Sequence, residues 1–328
     1  EAGCKGFSGI ISEIKIRDNI SVRMIYMIKP KTLKKGDLIG ITAPSGAVED
    51  PSVVYEAEKG LKALGFEVKI AKSCFQKYGY LAGRDEERAR DLNRLFQDKD
   101  VSGILCIKGG YGATRILDML DYDMIRENPK AFIGYSDITA LHLAFHKYCD
   151  LVTFHGPVGY DVTPSFEEYS KSFFLKALTT GRPVGELFNP PDREIRCFYP
   201  GKAKGPLIGG NLSLIAATIG TKYEIDTKGK LLLLEDIDER PYRVDRMLTQ
   251  LLMAGKLHDC SGIILGDWKN CDPEYPEKSL SLTEIFNDIL LPLKKPTLSN
   301  LAAGHCTRKL TVPFGAEAVL DADAGTLT

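Results

Sequence analysis

Short apolar segments and helical segments alternate along the first half of the chain, and this alternation limits the folds that are open to it. Residues 37–44 and 66–71 are predicted strands, and residues 51–65 between them have the apolar spacing of a helix. Parallel neighbouring strands need a crossover of about a dozen residues, usually a helix. The same order continues through residues 84–149. We therefore predict an N-terminal α/β domain with a mainly parallel sheet.

The character of the sequence changes in its middle part. Five prolines interrupt residues 159–203, where we predict a linker region with one helix near residues 166–178. Beyond it, a glycine-rich loop at residues 206–211 is predicted to lead into an apolar helix. The predicted division is a leader of residues 1–26, an N-terminal domain of residues 27–158, a linker region of residues 159–203 and a smaller mixed α/β domain of residues 204–328.

Charge and cysteine content restrict the classes of partner. The 43 basic and 44 acidic side chains leave a formal net charge of -1. No strong field therefore attracts nucleic acid or an anionic membrane, and a small molecule is the expected partner. The eight cysteines include no C-x-x-C pair, which suits a reducing compartment. We expect no metal and no cofactor.

The leader does not have the pattern of a signal peptide. Charged side chains interrupt it before an apolar core of about 7 to 15 residues accumulates; they are Glu13, Lys15, Arg17 and Asp18. The phrase that begins at Met27 reads like a natural protein start. We therefore expect the leader to be non-native or disordered, and the protein to be cytoplasmic.

Ser136 lies where a short predicted strand turns directly into a helix, within the phrase GYSD of residues 134–137. Such a turn exposes a hydroxyl at the carboxyl edge of a sheet and directs the next amide at a developing oxyanion. This position suits a nucleophile, although Ile138 replaces the second glycine of the GxSxG elbow. The alternative is that Ser136 only caps the following helix.

Paired glycines follow another predicted strand and suit the binding of an anion. The amides of Gly109 and Gly110 come directly after the apolar run of residues 103–107, at the same predicted sheet edge. An ordinary tight turn is the alternative. A nucleotide loop is a poorer interpretation, because neither the Walker spacing nor the GxGxxG spacing is present.

Two further residues suit the partners of a serine nucleophile. Glu235 closes the apolar strand of residues 231–234, and His305 follows a glycine in a segment without helical periodicity. His155 is the competing base. Cys306 is a weaker candidate for a Cys-His pair, because consecutive side chains of an extended segment point to opposite faces. A solvated acidic loop or, less readily, a metal site is the alternative for Glu235, since more acids follow it: Asp236, Asp238 and Glu239.

Six phrases, taken in order, resemble the LD-carboxypeptidase family, the serine peptidases of the muramoyl-tetrapeptide carboxypeptidase type. They are ITAPSG at 41–46, GGYGATRIL at 109–117, IGYSDITALH at 133–142, PLIGGNLSLI at 206–215, LLLEDIDERPYRVDRML at 232–248 and AAGHC at 302–306. The resemblance runs from Met27 nearly to the end of the chain. Several separate motifs in one order are hard to explain by chance.

The resemblance assigns roles residue by residue. It places the family's nucleophile on Ser136, its triad acid on Glu235 and its base on His305. It also implies that the backbone amides of Gly110 and Asp137 are the oxyanion donors. These are the predicted site residues of the chain.

Other roles stay open. Lys108 stands where the family often has arginine before the paired glycines, so a salt bridge from that position is not carried over. Glu239 is the fallback acid. Arg115 and Arg243 are candidates, by charge alone, for binding the free carboxylate of a substrate.

The resemblance further implies an enzyme with two α/β domains and its active site between them. Family members remove terminal D-alanine from muropeptide tetrapeptides during cell-wall recycling in the bacterial cytoplasm, and they commonly form homodimers. We therefore expect a peptide or muropeptide substrate and a homodimer.

Two alternatives are kept. One is an amidase resembling the microcin C immunity proteins, which would need an aromatic platform for a nucleotide base. Trp268 lies in an apparent strand end rather than in the linker region, which weighs against it. The other is a non-catalytic binder of a small ligand, in which Ser136 merely caps a helix.

Overall fold

The computed structural model describes residues 27–328, so the predicted leader lies outside the described residues. Within them the chain forms 13 strands, numbered in chain order. They are β1 (Leu38–Thr42), β2 (Glu67–Ile70), β3 (Val101–Cys106), β4 (Ala131–Gly134), β5 (Thr153–His155), β6 (Arg196–Tyr199), β7 (Lys202–Asn211), β8 (Leu231–Ile237), β9 (Gly262–Lys269), β10 (Thr297–Ser299), β11 (Val312–Phe314), β12 (Glu317–Asp321) and β13 (Thr326–Leu327).

Nine α-helices lie in the same residues and alternate with the strands. They are α1 (Ser52–Ala63), α2 (Asp85–Gln97), α3 (Tyr122–Glu127), α4 (Thr139–Cys149), α5 (Glu168–Thr179), α6 (Leu212–Thr218), α7 (Pro241–Met253), α8 (Lys256–Asp259) and α9 (Leu282–Leu290). None of these helices combines the length and apolar character that a membrane span requires.

The first sheet has six strands in the order β11-β5-β4-β3-β1-β2. It is parallel except for β11, which pairs antiparallel with β5. Helices cover both faces, and fully buried residues such as Leu61 of α1 and Phe96 of α2 fill the two cores. Because parallel strands run in one direction, the loops after β1, β3, β4 and β5 collect at one edge.

The second sheet has seven strands in the order β13-β12-β7-β8-β9-β10-β6. Its central strands β7 to β10 are parallel, and the outer strands pair antiparallel. The prediction of a mainly parallel sheet followed by a mixed α/β unit is confirmed. The two sheets meet near the start of α4, where the amide of Asn211 donates to Thr139 Oγ1 at 3.0 Å.

Within the described residues the chain crosses between the two sheets three times, after β5, β10 and β11. Strand β11, from the last part of the chain, joins the first sheet, with Val312 opposite His155. Strand β6, from the predicted linker region, joins the second sheet beside β10. Each sheet therefore contains a strand from outside the range predicted for its domain. The predicted domain boundaries at residues 158 and 203 stay a prediction.

The glycine-rich segment at residues 206–211 is part of strand β7, so the prediction of a loop there is wrong. Gly209 has a φ of 135°, and a Cβ added to it would lie 1.9 Å from the carbonyl oxygen of Leu233 on β8. Glycine is needed here for close contact within a sheet rather than for a turn.

We expect Gly209→Ala to lower the free energy of unfolding by about 3 kcal/mol or more, because it adds overpacking to an unfavourable φ. Gly220→Ala is the control: Gly220 also has a positive φ, 81°, but nothing lies within 4 Å of an added Cβ. The control should lose only about 1–2 kcal/mol. Urea unfolding of both variants measures this, and equal losses would contradict the role of the contact with Leu233.

A buried histidine on α4 ties that helix to the first sheet. His142 is 1% exposed, its Nε2 donates to the carbonyl oxygen of Gly134 at 2.9 Å, and Thr153 Oγ1 lies 2.8 Å from its Nδ1. Burial lowers the pKa of His142 to about 4, from an ordinary value of 6.5. The native protein therefore holds this ring neutral.

This lowered pKa predicts acid sensitivity. Below pH 6.5 the unfolded chain binds a proton at His142 that the native state does not, so the stability conferred by the neutral ring is lost as the pH falls towards 4. The loss should approach about 3 kcal/mol. Unfolding free energies measured between pH 7 and pH 4 should fall less steeply for His142→Gln, and an unchanged slope would show that His142 is not responsible.

Candidate active site

Ser136 lies directly after β4, at the edge where the loops of the first sheet collect. It begins a 3₁₀ turn, Ser136–Ile138, and α4 follows at Thr139. Neither the turn nor α4 has a side-chain cap, so Ser136 is not a helix cap. Its φ of 65° is uncommon for a residue other than glycine. Such strain is concentrated at functional turns, including the nucleophile elbow of serine hydrolases.

The turn of paired glycines packs against this serine. A Cβ added to Gly109 would lie 2.9 Å from Ser136 Oγ and 3.3 Å from the amide nitrogen of Asp137. Within residues 27–328, the amides of Gly110 and Asp137 donate to no other residue. Both amides are therefore free to donate to an oxygen atom of a substrate.

Glu235 and His305 form a pair. His305 Nδ1 lies 2.7 Å from Glu235 Oε2, and the Glu235 side chain is fully buried within β8. The His305 ring packs edge-on against Tyr135, with 4.9 Å between the ring centroids. Since Tyr135 precedes Ser136, the pair lies next to the candidate nucleophile. The carboxylate orients the imidazole with Nδ1 protonated, which leaves Nε2 as the basic atom.

Close backbone packing allows this pair to form. Gly304 has a φ of 116°, and a Cβ added to it would lie 2.5 Å from Glu235 Oε2. Only glycine therefore lets the loop that carries His305 come so close to the carboxylate. Burial raises the pKa of Glu235, and the hydrogen bond from His305 opposes that effect. The sequence shows a glycine before His305, but it does not show that the glycine is needed for close contact with Glu235.

The structure also contains a hydrogen-bond network around Ser136 that the sequence does not predict. Asp137 accepts hydrogen bonds from Ser45 Oγ and from the amide of Ala113, the latter at 2.8 Å, and so joins the loops after β1 and β3 to the turn at Ser136. Arg88 on α2 donates to the carbonyl oxygens of Gly112 and Pro44 in the same two loops. Arg88 is fully buried, although its helix has the composition of a solvated surface. Burial raises the pKa of Asp137.

The competing candidates lie in less suitable environments. His155 is fully buried, and burial lowers its pKa well below the ordinary value. Glu239 lies 3.4 Å from Arg243 and forms no bond with His305 in residues 27–328. Burial raises the pKa of the Cys306 thiol to about 11, which disfavours the thiolate.

The two arginines that are candidates for binding a substrate carboxylate are partly exposed, and each contacts a protein carboxylate. Lys108, from which no salt bridge is carried over, donates from Nζ to the carbonyl oxygen of Ala47 at 3.1 Å. Arg115 Nε lies 3.0 and 2.9 Å from the two carboxylate oxygens of Asp85, and Arg243 faces Glu239. The structure therefore singles out neither arginine as the site for a substrate carboxylate.

Comparison with known proteins agrees with this architecture. Residues 39–156 match the LD-carboxypeptidase N-terminal domain, and residues 204–320 match the LD-carboxypeptidase C-terminal domain. The chain is 45% identical, over 89% of its length and 91% of the relative's, to the "Probable murein peptide carboxypeptidase" of Bacillus subtilis.

Solved structures share the fold. The chain is similar to the self-immunity protein MccF in complex with glutamyl sulfamoyl guanosine, with a TM-score of 0.84, 25% identity, and coverage of 91% of this chain and 97% of that one. It is also similar to the muramoyltetrapeptide carboxypeptidase from Oxalobacter formigenes, with a TM-score of 0.76, 30% identity and coverage of 88% and 97%. With both domains matched and a relative at 45% identity, this chain belongs to the LD-carboxypeptidase family.

Proposed function

We propose that the protein is a serine LD-carboxypeptidase that releases terminal D-alanine from murein tetrapeptides in cell-wall recycling. The observation that carries the proposal is the 2.7 Å hydrogen bond between His305 and Glu235, in which the His305 ring also packs against Tyr135, the residue before Ser136. The murein peptide carboxypeptidase name of the relative at 45% identity supports the substrate class.

In the proposed mechanism, Nε2 of neutral His305 takes the hydroxyl proton as Ser136 Oγ attacks the scissile carbonyl. The amides of Gly110 and Asp137 donate to the oxyanion, and Glu235 stabilises the charged imidazole. His305 then gives the proton to the amine of departing D-alanine. The remaining peptide is an ester of Ser136, and a water molecule activated by His305 hydrolyses it.

An amidase acting on an aminoacyl-nucleotide is the second candidate, because MccF gives a TM-score of 0.84. Trp268 does not provide the aromatic platform that such a substrate needs. It lies on β9 and packs against Phe286 of α9 with 5.1 Å between ring centroids. The carboxypeptidase is therefore preferred.

The proposal includes the remaining expectations from the sequence. It assigns the nucleophile to a domain of residues 27–158 and the acid and base to a domain of residues 204–328. It also assigns the protein to the bacterial cytoplasm, as a homodimer that needs no cofactor. Sedimentation analysis of the purified chain tests the dimer.

The wild-type protein should release D-alanine from L-Ala-D-Glu-meso-diaminopimelate-D-Ala, and Ser136→Ala should lower kcat by at least about 10³-fold, because the nucleophile is lost. Coupled detection of D-alanine measures both, and calorimetry should show that the variant still binds the peptide.

Other outcomes of this assay separate the alternatives. Equal release by both proteins would exclude Ser136 as the nucleophile. Binding without any release would favour the non-catalytic binder. If an aminoacyl-nucleotide is cleaved and the tetrapeptide is not, the amidase is correct and the carboxypeptidase proposal fails.

Glu235→Gln should lower kcat by about 10⁴-fold with little change in KM, because an amide no longer fixes the imidazole tautomer or stabilises its charge. Glu239→Gln is the control, since Glu239 is the fallback acid and contacts Ser213 and Arg243 instead. It should change kcat by less than about 3-fold. A larger effect for Glu239→Gln than for Glu235→Gln would reassign the triad acid.

A further inference from the structure

We propose that Lys309 is a positioning residue, which holds the His305 ring beside Ser136 through an ion pair with Asp161 and through Tyr135. This inference rests on the proposed function for its effect on catalysis. Its geometric part, the position of the His305 ring, can be tested without turnover.

The position of His305 raises a question that the triad alone does not answer. The nucleophile follows a strand of the first sheet, whereas Glu235 lies on the second sheet and His305 lies in the loop after β10. The bond to Glu235 fixes the ring relative to the second sheet only. A further contact is therefore needed to fix the ring relative to Ser136.

Asp161 provides an anchor on the first sheet. The turn that contains it is bonded to the end of β3, since the amide of Gly159 donates to the carbonyl oxygen of Cys106 at 2.9 Å. Within the turn, the amide of Val158 donates to Asp161 Oδ2 at 3.0 Å. These two hydrogen bonds hold the carboxylate at a defined place beside the sheet that bears Ser136.

Lys309 reaches this anchor from the loop that carries His305. Its Nζ lies 2.6 Å from Asp161 Oδ1, and the Lys309 side chain is only 5% exposed. Its backbone amide donates to Ser170 Oγ on α5 at 2.9 Å. Three residues later, β11 begins and pairs with β5 of the first sheet. The loop from His305 to Val312 is thus attached to the first sheet along its second half.

The Lys309 ammonium group also contacts the ring of Tyr135, which in turn contacts His305. Lys309 Nζ lies 5.0 Å from the centroid of the Tyr135 ring, within the range of a cation–π interaction. The same ring packs against His305, at 4.9 Å between centroids, and against the buried His155, at 6.1 Å. Tyr135 is joined to Ser136 by a peptide bond. The order Asp161, Lys309, Tyr135, His305 therefore links the base to the nucleophile.

The ion pair is largely shielded from solvent, with side-chain exposures of 5% for Lys309 and 25% for Asp161, so loss of one partner affects stability. Removing one partner of a buried pair leaves an uncompensated charge, whereas replacing both partners by apolar residues is often neutral for stability. Stability and positioning can therefore be separated. Lys309→Met/Asp161→Leu should recover the melting temperature that Lys309→Met loses, yet it still lacks the cation over Tyr135.

The direct test is proton NMR of the hydrogen bond between His305 Nδ1 and Glu235. The wild-type protein should show a low-field resonance for this proton, assigned by its absence in His305→Ala. We expect the resonance to shift or disappear in Lys309→Met and in the double variant. Lys256→Met is the matched control, because Lys256 forms an ion pair of similar burial with Glu224, and it should leave the resonance unchanged. An unchanged resonance in the double variant would overturn the proposal.

Kinetics of D-alanine release test the consequence for catalysis. We expect the double variant to lower kcat by about 10- to 100-fold with little change in KM, since a displacement of about 1 Å at a catalytic group has effects of this size. In a His305→Ala background the same substitutions should lower the residual kcat no further, because they act through His305. An equal reduction in both backgrounds would overturn the positioning role.

The two proposals fail separately. If the wild-type protein releases no D-alanine, the proposed function is wrong, and the NMR comparison still decides whether Lys309 holds the His305 ring. If the wild-type protein is active and the resonance is unaffected by loss of Lys309, only the positioning role is wrong.

Discussion

The arrangement of the site depends on one constraint: its groups come from two different sheets, and both present the carboxyl ends of parallel strands to the same place. Ser136 follows β4 of the first sheet, and Glu235 ends the apolar part of β8 in the second. A parallel sheet brings its loops to one edge. The hydrogen bond from the amide of Asn211 to Thr139 Oγ1 joins the two edges beside the site.

Close backbone packing follows from that constraint. Backbone segments from the two sheet edges lie close together here and leave little room for side chains. Glycine occupies the tightest positions. Gly109 lies against Ser136, and Gly304 lies against Glu235. The polar groups left in this confined region are bonded to one another, as Asp137 is to Ser45 and Ala113. The geometry of the candidate site therefore depends on the backbone as much as on the side chains of Ser136, Glu235 and His305.

Much of the fold could be predicted from the sequence, because strands and helices of the first sheet differ strongly in their apolar spacing. The segment that contains Gly209 resembles a loop in the sequence, since glycine marks turns and close strand contacts alike. At the candidate site, the local pattern does not distinguish a nucleophile from a helix cap at Ser136, and only the family resemblance favours the nucleophile. The burial of Arg88 and Lys309 could not be predicted, because nothing local distinguishes a buried charged residue from a solvated one.

Strand β11 has a consequence for how the protein is made. The edge of the first sheet next to β5 is covered by residues 312–314, which follow strands β6 to β10 of the second sheet in the sequence. On the ribosome, the part of the first sheet that bears Ser136 therefore has an exposed strand edge until residues 312–314 have been synthesised. The pairing of β11 with β5 completes the first sheet and at the same time attaches to it the loop that carries His305. A chain that stops before β11 contains Ser136 but lacks the strand pairing that attaches the loop of His305 to the first sheet.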